Sequence, residues 1–201
     1  MFAAALAERA AAKVWAVDPS ESMLDLARMR VPTSVGLKLA RAEALPFRDG
    51  WFERAVGRLV VHLVERPRAF EELRRVLVRD GRLSLATFAP SHFDDFWLSR
   101  WFPSLERVDR ARFPDPAALV DELEAAGFAS VRVERLDQRH ELDRETALAR
   151  IRGRHISTFD LLDADEVAAG TERAERELGD RVEVRLAWAL VVAGPAGELG
   201  S

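Results

Sequence analysis

The sequence contains no cysteine, which excludes disulfides, thiolate metal sites and cysteine nucleophiles together. Lysine is nearly absent as well: Lys13 and Lys38 are the only two, so the positive charge is almost all arginine. With 30 basic against 34 acidic side chains the formal net charge is −4, and broad attraction to a nucleic-acid backbone is not expected. The four histidines are scattered, with no HxxEH-type or carboxylate cluster beside them, so no catalytic metal is expected. Long apolar runs are lacking. Stretches such as 186–193 fall far short of the about twenty residues of a membrane span. Residues 2–12 do not read as a secretory signal, because Glu8 and Arg9 interrupt an Ala-rich stretch that has no basic leader. A cytoplasmic protein without a membrane or nucleic-acid partner is the expectation, with a homodimer left open.

What is present is a chain of 201 residues, 48% of them apolar, enough for one globular domain. We expect that domain over 1–193, with 194–201 as a loose tail. The apolar pattern alternates between strands and helices. Strands are expected at 14–17, 35–39, 55–61, 83–88, 131–136 and 182–192. Helices are expected at 2–12, from Asp18-Pro19 onward, from Pro67 to the turn at Asp80-Gly81, and at 116–126, 143–154 and 163–178. Asp18 would cap the second helix, with Pro19 at its first position, and Gly127 would end the one at 116–126. The aromatic- and proline-rich stretch 90–116 breaks the alternation and reads as an insertion, and 143–178 as a second cap segment. Strands alternating with helices mean an open, mostly parallel α/β sheet with helices on both faces. Ligands bind such sheets beyond the carboxyl ends of the strands.

The order of segments then narrows the family. Val-Trp-Ala-Val-Asp-Pro-Ser-Glu-Ser-Met-Leu at 14–24 is followed by Ala-Glu-Ala-Leu-Pro-Phe at 42–47, Trp51-Phe52-Glu53 before a strand, and Glu72-Leu73-Arg74-Arg75-Val76-Leu77 closing at Asp80-Gly81. This string resembles the class I S-adenosylmethionine-dependent methyltransferases, in particular the small bacterial type. The resemblance implies a Rossmann-like fold whose last strand, 182–192, runs antiparallel beside 131–136. It also implies S-adenosylmethionine as cofactor and a small-molecule methyl acceptor. Three departures accompany it. The family's first, central strand and its Gly-rich loop have no counterpart here, so an N-terminally truncated form is expected. Glu53 stands for the usual Asp, and Arg41 where many relatives carry an adenine-contacting acid.

By resemblance, Asp18 and Pro19 lie at the cofactor's ribose, Met23, Ala42 and Glu43 at its adenine, and Gly57, Arg58 and Leu59 under the sulfonium. Read from the residues alone, Asp18 is equally a helix cap, Ala42-Glu43 a surface turn, and Gly57–Leu59 part of a buried strand. His62 is the candidate general base, since imidazole titrates near neutrality; a packing histidine is the bland alternative. Methyl transfer needs in-line positioning first, and a base only for an acceptor with a firmly held proton. The aromatics Phe93, Phe96, Trp97, Trp101, Phe102 and Phe113 read as the core of a cap more readily than as a substrate box. Arg152, Arg154, His155, Ser157 and Thr158 would face the acceptor by resemblance. The competing reading is a methyltransferase-like interaction module that has lost its cofactor. A nicotinamide-dependent oxidoreductase would also place Asp18 on a ribose, but leaves the Leu-Pro-Phe segment and the closing hairpin unexplained.

Overall fold

The computed structural model describes residues 2–10 and 12–195. After helix α1 (Phe2–Ala10) the elements are β1 (Trp15–Asp18), α2 (Glu21–Arg28), β2 (Gly36–Leu39), β3 (Phe52–Arg58), α3 (Arg66–Val76) and β4 (Leu77–Phe88). Two 3-10 turns, Pro90–His92 and Trp97–Arg100, lead into α4 (Pro103–Arg112) and α5 (Pro116–Ala125). The chain closes with β5 (Ser130–Asp143), α6 (Arg144–Arg152), a 3-10 turn at Ser157–Leu161, α7 (Ala164–Glu177) and β6 (Arg181–Gly194).

The strands form two sheets. β1 and β2 pair in parallel; the other sheet has the order β3-β4-β6-β5, with β3 and β4 parallel and β6 antiparallel to both its neighbours. The expected antiparallel closing strand is therefore present, with Val131 opposite Ala193 and Leu136 opposite Trp188. β1 pairs only with β2 and β3 only with β4 among the described residues, so each leaves one edge unpaired. A chain of edge-on rings bridges them. Phe47 lies 5.7 Å from Trp15, the first residue of β1, and 4.8 Å from Phe52, the first residue of β3.

Several boundaries differ from the sequence reading, each for a local reason. β3 begins and ends three residues early, because Leu59 adopts φ 51° and the strand cannot continue through it. α3 stops at Val76: Leu77 is already extended, at φ −81° and ψ 139°, and pairs with Phe52 at the start of β4. β5 runs seven residues past its apolar stretch, since only its backbone is needed by β6 and its charged side chains stand in solvent. Gly194 still belongs to β6, opposite Ser130; the expected tail at 196–201 lies outside the described residues. Gly127, with φ 92°, does follow the last turn of α5, where a left-handed residue closes a helix at least cost.

Two large hydrophobic cores result among the described residues, with a small alanine cluster of Ala89, Ala187 and Ala189 beside them. One joins Phe70 of α3, Leu83 and Leu85 of β4, Leu119 and Leu123 of α5, and Val191 and Ala193 of β6. The other is the cap: Leu98, Phe102, Leu105, Ile151, Phe159, Ala174 and Leu178 gather around Val184 of the same strand β6. Segments 96–105 and 142–178 thus share one core although the rest of α4, α5 and most of β5 separate them in sequence.

Candidate functional site

Asp18 ends β1, hydrogen-bonded through its backbone oxygen to Ala40. Its Oδ1 accepts the Ser20 amide at 2.8 Å, and no bond to Oδ2 occurs among the described residues. The residue that caps α2 is Ser20, whose Oγ accepts from the Met23 amide at 3.3 Å. Asp18 is fixed in the strand ladder two residues too early for that role, so the expected Asp18 cap with Pro19 inside the helix is corrected: Pro19 is a link between strand and cap. Met23 presents its side chain outward, 53% exposed, while its neighbour Leu24 is buried.

The loop after β2 is pinned from α3. Glu43, 11% exposed at its side chain, accepts the Glu65 amide at 2.8 Å and Arg41 Nη2 at 3.3 Å through one oxygen. The Glu65 amide, more than Arg41, holds its carboxyl below the usual range. Ala42 sits beside it, half-buried. Downstream, Arg75 reaches from the last turn of α3 to the carbonyls of Leu45 (3.0 Å) and Phe47 (2.8 Å) and to Asp49 Oδ1 (2.7 Å). Glu72 grips the same guanidinium at 2.6 and 2.8 Å and accepts the Leu45 amide at 2.7 Å. This pair dictates the shape of the Leu-Pro-Phe turn. Sequence reasoning quoted both residues as motif letters and assigned them no task; their spacing of three on one helix face was the available signal.

At the other unpaired edge, Gly57 packs so closely that a Cβ there would stand 2.8 Å from Leu85 Cδ2. Arg58 lays its guanidinium over the Trp188 ring, 4.9 Å from the centroid, and the Leu59 amide continues the ladder to Ala86 at 2.8 Å. His62 follows, stacked on Phe113 with centroids 3.9 Å apart and planes at 22°. Its Nδ1 is buried and finds no hydrogen-bond partner among the described residues. Burial first, and the charge of Arg112 second, bring its pKa from 6.5 down to about 4. The imidazole is therefore neutral at pH 7 and a weak base. A second imidazole repeats the arrangement: His92, 3% exposed, stacks on Phe88 at 3.7 Å, and burial likewise lowers it to about 4.

The insertion aromatics divide. Phe96, Trp101 and Phe102 belong to the cap core with Trp97 against it, whereas Phe93 and Phe113 join Phe88, His62 and His92 at the ends of β3 and β4. Of the segment expected at the acceptor, Arg152 pairs with Glu175, Arg154 approaches Asp160 at 3.8 Å, and His155 contacts the Arg150 carbonyl. Ser157 and Thr158 instead meet Arg112 at the end of α4, a residue the sequence reading passed over. Among the described residues no helix is long and apolar enough to cross a membrane.

Residues 1–85 match the family model described as a methyltransferase domain. A malonyl-[acyl-carrier protein] O-methyltransferase of Herminiimonas arsenicoxydans is 34% identical over 141 residues, 69% of this chain and 52% of that protein. The enzyme of the same name from Halorhodospira halophila is 32% identical over 120 residues, 58% of this chain and 40% of that protein. The chain thus spans about half or less of the length of these curated relatives. Among solved structures, a provisionally named methyltransferase from an antibiotic biosynthesis pathway of Anabaena variabilis superposes with a TM-score of 0.70 at 23% identity, covering 89% of this chain and 81% of that one. The fold is accordingly the Rossmann-like methyltransferase fold.

Proposed function

We propose that this chain, whose residues 1–85 match a methyltransferase domain, is a class I, S-adenosylmethionine-dependent enzyme that transfers a methyl group to a small-molecule acceptor. We further propose that its competent form has one more parallel strand between β1 and β3. The observation that carries this reading is the division of the sheet. β1 and β3 each keep an unpaired edge among the described residues, their starting ends are tied through Phe47, and their carboxyl ends bear Asp18 and Gly57–Leu59; in this reading both edges border one gap. A strand placed there would satisfy both ladders and bring the two half-sites to either side of its own end, where an α/β sheet takes its ligand.

The residues present fit the nucleoside half of the cofactor. Asp18 offers a half-buried carboxylate with Oδ2 available for a ribose hydroxyl, and Met23 and the pinned Ala42-Glu43 turn flank it with apolar surface and backbone amides. For the anionic methionine end the gap between β1 and β3 presents no turn of backbone amides among the described residues. When bound, the cofactor supplies an electrophilic methyl group on a sulfonium. Phe88, Phe93 and Phe113 cluster beside His62 and would offer that region an apolar wall, and His62, uncharged at neutral pH, adds no repulsion toward a cation. A pKa near 4 makes His62 a poor acceptor of firmly held protons, so an acceptor already ionised at pH 7 suits this site better than an alcohol. The relatives named for a malonyl thioester fit that description. Residues 1–193 acting as one domain, in the cytoplasm, complete the proposal.

Calorimetric titration with S-adenosylhomocysteine tests it. The 201-residue chain is expected to bind weakly or not at all, and a protein carrying an added strand and turn ahead of α1 in the micromolar range. A low-micromolar constant for the chain alone would refute the need for the strand; no binding by the extended protein would favour an interaction module without cofactor.

A further inference from the structure

Arg112 differs from Arg75 and Arg66 in what it holds. Arg75 and Arg66 each grip a carboxylate through two short bonds. Arg112 donates only to two hydroxyls: Nη1 to Thr158 Oγ1 at 3.1 Å and Nη2 to Ser157 Oγ at 3.2 Å. The nearest carboxylate oxygen, Asp109 Oδ1, is 3.7 Å away and is occupied by the Thr158 hydroxyl at 2.6 Å. Asp109 is buried, and burial raises its pKa. The guanidinium side chain is 19% exposed, and its Nε makes no bond among the described residues. It also stands within electrostatic reach of His62, because Phe113, the next residue, is the ring on which His62 stacks.

We propose that Arg112, with Ser157 and Thr158, is the receptor for a carboxylate of the methyl acceptor. This rests on the methyl-transfer reading and narrows its substrate class to carboxylic acids. A planar guanidinium fork matches a planar carboxylate through two parallel bonds; the Ser157 hydroxyl, which donates to no partner among the described residues, can turn to the incoming oxygen, while Thr158 stays tied to Asp109 and holds the guanidinium in place. Charge sets the ligand's valence. The cluster offers a single guanidinium with Asp109 Oδ1 3.7 Å away, so a singly charged planar carboxylate matches it better than a phosphate dianion, which needs more than one cation. The aromatic wall of Phe93, Phe113 and Phe88 next to it favours an acid whose remaining body is apolar.

The test uses the 201-residue chain without cofactor and the probes monomethyl malonate, its neutral dimethyl ester and inorganic phosphate, followed by amide and imidazole NMR shifts. The monoacid is expected to shift His62 and Phe113 resonances saturably, and the diester and phosphate to bind at least tenfold more weakly. Arg112→Gln should weaken the monoacid at least tenfold. Arg112→Lys keeps the charge beside Asp109 and so the fold, and should weaken it about threefold to tenfold by losing the fork. Equal binding of acid and diester, tighter binding of phosphate, no binding of the acid, or undiminished binding in the lysine variant would each overturn the proposal. Carboxylate binding that depends on Arg112, together with failure of the extended protein to bind S-adenosylhomocysteine, would reject the methyl-transfer reading and leave this site standing.

Discussion

Acidification from pH 7 to 5 should remove an unusual share of the protein's stability, chiefly through two imidazoles, with the lowered His155 acting in the same direction. His62 and His92 are each lowered by burial from 6.5 to about 4 in the folded chain. Above pH 6.5 neither the folded nor the unfolded state binds these protons, and their contribution to stability is fully present. Below 6.5 the unfolded chain is protonated first, so stability falls with pH until about 4, where the folded state binds the protons too. Each fully responsive imidazole withdraws about 1.4 kcal/mol per pH unit over that interval, or about 2 kcal/mol by pH 5. His92 is buried and should reach that figure; His62, in partial contact with solvent, should fall somewhat short. Together they remove about 3–4 kcal/mol, a large part of the 5–15 kcal/mol typical of a domain. The lowered Glu43 and Glu72 weaken the fold only as pH drops through and below their ordinary 4.5, and the raised Asp109 acts in the opposite sense. Urea unfolding followed by tryptophan fluorescence from pH 7.5 to 5 measures the slope. His92→Phe, which keeps a ring on Phe88, should reduce it by about half. A slope unchanged in that variant to within about 0.5 kcal/mol would refute the assignment.

Arg75→Met should lower stability by about 2–3 kcal/mol, because it leaves the Leu45 and Phe47 carbonyls unpaired and Glu72 without its cation; thermal unfolding should show a fall of roughly 4–12 °C. Ser20→Ala should cost about 1 kcal/mol of stability and leave ligand affinity unchanged, since Ser20 is the cap of α2. Asp18→Ala, in the protein extended by the additional strand, should weaken S-adenosylhomocysteine roughly ten- to a hundredfold by calorimetry; equal affinity would remove Asp18 from the site.

The alternation of apolar strands and helices made the α/β class legible, and the apolar run of β6 showed that it needs neighbours; its antiparallel direction beside β5 came from the family resemblance. The unpaired edges were legible too, because the motif string lacks the segment that belongs between them. Helix caps were not: Asp18 and Ser20 are both good N-caps, and only the strand ladder, a tertiary constraint, assigns the role to Ser20. The site was legible near the motifs and opaque in the cap. Arg112 meets Ser157 and Thr158 across more than forty residues, and no local periodicity marks such a pair. The neutral state of His62 depends on the ring of Phe113, equally remote in the chain.

β6 runs unbroken from Val184 in the cap core to Val191 and Ala193 in the sheet core, with fourteen consecutive partners in β5. A cap built as a separate lobe on a linker could open and close as a hinge. One threaded on a strand that also forms the floor cannot tilt without shearing that strand's ladder. Amide exchange along β6 should accordingly show one continuous protected band, and access to the space above His62 should come from side-chain turns of Phe113 and Arg112 rather than from swinging of the whole cap.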